Sequence, residues 1–195
     1  MLKLLGKWLK IYEDEISLFF WVLVILFLIR TSSILFNNFA ETAFLKRYGV
    51  EYLPIVNVAN SISTFFVMAF LTGLMAKIPG SRMLSYMLLF CGITVAGLRF
   101  VVPLGFDLIY PVLYVLKAQY EVLLALLFWN LANDLFNTRQ SKRLFPLITA
   151  GGVIGGILGS FATPPLAKLI TMDNLMFAYL FVNGCLSWEY KTCCR

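Results

Sequence analysis

The chain has 195 residues, of which 61% are hydrophobic and 13% charged, with a formal net charge of +6 and a mean hydropathy of +0.85. A soluble domain carries about 25% charged residues, so this composition excludes an ordinary water-soluble globule and points to lipid as the solvent. Histidine is absent, which removes most zinc sites and histidine-based general-base catalysis; no metal or cofactor is expected.

The basic balance would suggest nucleic acid in a soluble protein, but in an apolar chain Lys and Arg mark the cytoplasmic side, and no nucleic-acid partner is expected. Cys91 and Cys185 lie in apolar segments and Cys193 and Cys194 are adjacent at the tail, so neither a metal site nor a disulfide framework is spelled out.

Residues 1–12 read as an amphipathic interfacial helix. Met1, Leu2, Leu5, Trp8, Leu9 and Tyr12 share one face, and Lys3, Lys7 and Lys10 share the other. Residues 13–190 read as a bundle of about six transmembrane helices, near 16–45, 53–76, 83–102, 108–136, 144–170 and 174–190.

The first segment is purely apolar only to Ile29, short of the ~20 residues a span needs, but its helical pattern continues to about Phe44. Arg30, Ser33, Asn37 and Glu41 then form one stripe. Charges at that depth face a partner or a water-filled cavity. The competing reading ends the helix at Arg30, which snorkels to the surface.

In the second segment Asn57, Asn60, Ser61 and Thr64 share a face suited to interhelical hydrogen bonds or a pore lining. Arg99 lies near the outer end of the third, placed either to snorkel or to meet substrate. The fourth carries Tyr110, Tyr114, Lys117 and Glu121 along one face, with Gln119, Asn130 and Asn133 roughly opposite. Lys117 and Glu121 have the i,i+4 spacing of an intrahelical ion pair.

In the fifth segment Gly151, Gly152, Gly155, Gly156 and Gly159 fall within an arc of ~140°. Small residues at that spacing let a second helix approach closely inside lipid, so these five are helix-packing candidates. Pro164-Pro165 should bend or end the segment.

With the N-terminus in the cytoplasm, inner segments hold Lys3, Lys7, Lys10, Lys77, Arg82, Arg139, Lys142, Arg143, Lys191 and Arg195, against Lys46, Arg47 and Lys168 outside. That bias predicts a multi-pass integral protein with both termini cytoplasmic, in a bacterial inner membrane.

Six such helices are similar to half of a major facilitator superfamily transporter. Gly73-Leu-Met-Ala-Lys-Ile-Pro-Gly80-Ser-Arg82 resembles the loop signature of that superfamily, with Lys77 where an acidic residue is expected. Trp129 to Gly152 carries the closer resemblance. Ser141-Lys142-Arg143, Phe145-Pro146-Leu147 and Gly151-Gly152 look like the ATP/ADP translocase family of bacteria and plastids, relatives of the facilitator superfamily. A similar signature occurs in facilitator-like permeases of unknown substrate.

The resemblance implies a secondary transporter of an anionic metabolite, ATP or ADP among the candidates, built as a major-facilitator-like all-α bundle in contact with membrane lipids. Arg30 and Lys117, with Arg99 third, would supply positive charge to an anion in a low-dielectric cavity. Asn37, Glu41 and Glu121 complete the candidate cavity set, the two glutamates as resting partners of the cations.

The family has about twelve helices, so the short tail 191–195 suggests a truncated product or a half that pairs with a second six-helix unit or a second copy. A non-transporting anchor or sensor module is the alternative. An enzyme is not expected, since no nucleophile–base set is assembled, and the glycine run lacks the Gly-Lys-Ser/Thr ending of a phosphate loop.

Overall fold

The computed structural model describes residues 15–75, 80–101, 107 and 109–169. Every regular element among them is helical: α1 (Ile16–Tyr48), a 3₁₀ turn (Val50–Tyr52), α2 (Leu53–Met75), α3 (Gly80–Val101), α4 (Ile109–Leu135) and α5 (Thr138–Leu169). The interfacial segment 1–12, the sixth segment and the tail lie outside the described residues. Four of the five described helices are long and apolar enough to cross a membrane.

Helix α1 has 33 residues, ~50 Å at 1.5 Å per residue, and continues through Arg30 without a break. It stops at Gly49, whose φ of 81° and ψ of 178° belong to a region open essentially to glycine alone. The Gly49 N–H donates to the Leu45 carbonyl at 3.0 Å, and the chain turns into α2. On that side Arg47 holds the Asp107 carboxylate at 2.7 and 2.9 Å, and the Tyr48 hydroxyl donates to the Asp107 carbonyl at 2.9 Å. The turn after α1 is thereby tied to the approach to α4.

Helix α5 begins at Thr138, so Arg139, Lys142 and Arg143 stand in its opening turns rather than in a loop ahead of Leu144. The Gln140 half of a capping box, with the first helical bond back to Asn137, marks the early start. The Gln140 Oε1 accepts the Asn137 backbone N–H at 2.9 Å, and the Ser141 N–H reaches the Asn137 carbonyl at 2.9 Å. Pro146, Pro164 and Pro165 are all inside the helix.

Helix α1 packs most extensively on α5 and next on α4, while α2 and α3 each lean on α4. Between them sits one apolar core that includes Leu26, Ile29, Phe36, Leu124, Leu127 and Phe128. In lipid, such contacts are held by dispersion and shape, since hydrocarbon tails are as apolar as leucine. The outward faces stay apolar for the same reason: Phe65 on α2 and Phe161 on α5 are largely exposed.

A polar clasp joins the entry ends of α1 and α5. Glu15, which makes no capping bond of its own, accepts from Gln140 Nε2 at 2.8 Å and from Arg143 Nη2 at 2.6 Å. Both charged groups are largely covered, and removing Arg143 costs the Glu15 carboxylate its charged donor. Arg143→Met should lower stability by about 1–3 kcal/mol, read as a melting temperature several degrees lower in detergent, and Glu15→Gln by less. An unchanged melting temperature for Arg143→Met would show the clasp to be decorative.

Candidate functional site

The charged stripe of α1 faces the charged face of α4. Arg30 Nη1 donates to Glu121 Oε1 at 3.0 Å, and Asn37 Nδ2 donates to Glu121 Oε2 at 2.8 Å. One turn further along, Lys117 Nζ donates to Glu41 Oε1 at 2.5 Å, with the Tyr114 ring centroid 4.1 Å from the ammonium. Low numbers on α1 meet high numbers on α4, so the two helices run antiparallel. The five charged or amide residues of the candidate cavity set thus form two neighbouring groups between α1 and α4, Arg30–Glu121–Asn37 and Lys117–Glu41.

The intrahelical pairing suggested by the i,i+4 spacing of Lys117 and Glu121 is not the one made; both side chains cross to α1. Lys preceding Glu is the poorer order for such a helical pair. An interhelical partner also supplies the carboxylate with a second donor, Asn37, which Lys117 alone could not. The polar atoms differ in access. The Lys117 side chain is 6% exposed, whereas Arg30 is 41% and Glu121 38% exposed.

Arg30 and Glu121 open onto a cavity of about 190 Å³ between α1, α4 and α5, completed by Ser33, Trp129, Thr149 and Gly152. Ser33 belongs to the stripe legible on α1. Trp129 and Thr149 were not singled out for the cavity by sequence. The available signal was helical spacing, since Ala125 and Trp129 follow Glu121 at successive turns on one face of α4. The cavity is smaller than the ~300–1,000 Å³ typical of small-molecule sites, so in this conformation it can enclose only part of a nucleotide-sized ligand.

The wall formed by α5 is the glycine face, and α1 fills it. A Cβ on Gly155 would sit 2.6 Å from the Phe27 carbonyl oxygen, and one on Gly159 would sit 3.1 Å from that of Thr31. Gly151 and Gly152 likewise meet Leu23 and Leu26, while Gly156 meets only the tip of Ile34. The closeness allows the Thr31 hydroxyl to approach the Gly155 carbonyl at 3.0 Å. Arg30 is thus carried by a helix whose backbone is seated directly on α5.

A separate polar cluster links α2 to α4. Gln119 Nε2 lies 2.8 Å from Asn60 Oδ1 and 2.8 Å from Thr64 Oγ1, and Tyr114 donates to Asn57 Oδ1 at 3.3 Å. The α2 amides are thus engaged between helices, and Tyr114, whose ring lies against Lys117, connects Asn57 to the α1–α4 contacts. The side chain of Arg99 lies outside the described residues. Among the described residues there is no group of three or more His, Cys, Asp and Glu placed to hold a metal ion.

The family model described as TLC ATP/ADP transporter matches residues 57–181, more than half of the chain. That span contains Lys117, Glu121, Trp129 and the glycine face, while α1 with Arg30 and Glu41 precedes it. No curated protein and no solved structure matches the chain at a significant level.

Proposed function

The chain belongs to the TLC ATP/ADP transporter family, whose members are transporters rather than enzymes, and from that premise we propose that it moves an adenine nucleotide or a related anionic metabolite across the membrane. The observation that carries this reading is the Arg30–Glu121–Asn37 network opening onto a cavity within membrane-spanning helices.

At rest each cation is neutralised by a carboxylate from the facing helix. An incoming phosphate takes the place of Glu121 at Arg30, where a planar guanidinium can bind two of its oxygens. Glu121 keeps its bond from Asn37, so the displaced carboxylate is not left bare. Lys117, seated deeper, adds attraction that the low dielectric strengthens, and Glu41 restrains it until substrate arrives. Trp129 offers an apolar face for a ring stacked against the cavity wall.

In this reading the bundle is one half of a facilitator-type machine, with the N-terminus cytoplasmic in a bacterial inner membrane, and the rest of the ligand is held by a second six-helix unit or a second copy. Residues 13–190 form the membrane unit and 1–12 its interfacial helix. The α1–α5 glycine seam keeps Arg30 fixed to a rigid wall while the halves rock.

The direct test is exchange of labelled ATP or ADP by the purified protein in vesicles loaded with unlabelled nucleotide. Time-dependent uptake that requires internal nucleotide is expected. No uptake by correctly inserted protein, across nucleotides and simpler phosphorylated metabolites, would remove the proposal.

The alternative of a non-transporting anchor makes the same ion pairs purely structural. The pair of substitutions Arg30→Ala and Glu121→Ala in one protein separates the two readings, because it deletes both charges and leaves neither unpaired. It should fold and insert as the unchanged protein does, yet fail to exchange nucleotide. Undiminished exchange would assign the pair to architecture alone.

A further inference from the structure

Three hydroxyl residues follow Arg30 on α1, and two of them bond back to the helix itself. Thr31 Oγ1 donates to the Phe27 carbonyl at 2.8 Å, and Ser32 Oγ donates to the Ile29 carbonyl at 3.0 Å. Such bonds to the preceding turn are how an apolar helix accommodates a hydroxyl. Ser33 makes none. It is only 6% exposed, yet its hydroxyl has no hydrogen-bond partner among the described residues. The side chain lines the α1–α4–α5 cavity, and its oxygen is not sealed from that space. The other hydroxyl on the cavity wall, that of Thr149, is taken by the Phe145 carbonyl at 2.9 Å.

The shape of the resting partner explains why this hydroxyl is idle. Glu121 presents a planar carboxylate, one oxygen of which accepts Arg30 and the other Asn37. The lone pairs of such a group lie in its own plane. A phosphoryl group is tetrahedral. When a guanidinium fork has taken two of its oxygens, a third stands out of the plane of the fork, where a carboxylate offers no acceptor. Ser33 follows Arg30 by three residues, the spacing at which side chains on one helix face are neighbours. The cavity of about 190 Å³ has room for a phosphoryl group between them and α5.

We propose that Ser33 is a specificity-determining residue of this site: its hydroxyl donates to the phosphoryl oxygen that Arg30 leaves free, and so selects phosphoryl anions over carboxylates. The inference rests on the reading that a substrate phosphate takes the place of Glu121 at Arg30. It adds a reason for the exchange, because the incoming anion gains a hydrogen bond that the resting carboxylate does not make.

The experiment uses the full chain in lipid vesicles and follows modification of Arg30 by phenylglyoxal, mapped by peptide mass. Inorganic phosphate and acetate are the protecting anions, and the readout is the ratio of their protection constants. The charges of the two anions are the same for every variant, so a change in that ratio reports the protein alone. Ser33→Ala should weaken protection by phosphate about tenfold and leave that by acetate unchanged, the low end for a hydrogen bond to a charged group. Ser33→Cys keeps the shape with a much weaker donor and should behave as Ser33→Ala does. Both variants should melt no lower than the unchanged protein, since no bond is lost at rest. A lower melting temperature for Ser33→Ala would overturn the premise that the hydroxyl is unmatched. Protection of Arg30 with the same ratio in Ser33→Ala would overturn the role of Ser33 and leave the anion site standing. No protection by either anion would overturn the site at Arg30 and this inference with it.

Discussion

Arg30→Ala is expected to lower nucleotide exchange by about 30- to 150-fold, the factor that ~2–3 kcal/mol of charge-assisted hydrogen bonding represents. The loss has two parts. The substrate phosphate no longer finds the guanidinium, and Glu121, 38% exposed beside the cavity, is left with Asn37 as its donor. An unbalanced carboxylate there repels the anion that should bind. Arg30→Lys keeps the charge without the planar fork and should recover only part of the rate. Glu121→Gln should act in the opposite direction on binding, releasing Arg30 from competition, so that half-saturation falls while turnover falls as well. Nucleotide uptake by folded Arg30→Ala protein at the unchanged rate would sink the assignment of the site.

The second large effect concerns the wall that carries this site. Gly155→Ala should melt about 2–12 °C below Gly156→Ala, because overpacking of this kind costs about 1–3 kcal/mol and each kcal/mol is worth ~2–4 °C in a chain this long. The added methyl would meet the Phe27 carbonyl oxygen at 2.6 Å and its Cα at 3.1 Å, both backbone atoms that cannot rotate away. Helices α1 and α5 must then separate along the seam. Gly156→Ala is the control, one position along the same helix. Its methyl meets only Ile34 Cδ1, at 3.2 Å, a side-chain tip free to swing aside. Removing a helical glycine is itself favourable by ~1 kcal/mol, so Gly156→Ala should melt at or slightly above the unchanged protein. Equal melting temperatures for the two variants would mean that the seam is not the close contact described.

Much of the framework was legible along the chain. Long apolar stretches must be helical in lipid, because a backbone surrounded by hydrocarbon has to satisfy its own hydrogen bonds. The continuation of α1 past Arg30 was legible because Ser33, Asn37 and Glu41 repeat on one face with apolar residues between. Arg30, Asn37, Glu41, Lys117 and Glu121 stood out because an ionisable or amide group at that depth needs a partner. The start of α5 was not legible, since a run of Arg139, Gln140, Ser141, Lys142 and Arg143 looks like a loop until Gln140 is seen to cap Asn137. The tie between Glu15 and Arg143 was not legible either, because their separation along the chain carries no signal.

The division follows from what periodicity can encode. By itself, the order of residues determined that the chain is helical, that it lives in a membrane, which faces are small or charged, and which groups must be matched. It could not determine the match. Lys117 and Glu121 are nearest neighbours along α4, and only the antiparallel register of α1 against α4 sends Lys117 to Glu41 and Glu121 to Arg30. That register depends on how deeply α1 settles onto the glycines of α5, a distance between backbones that no single helix contains.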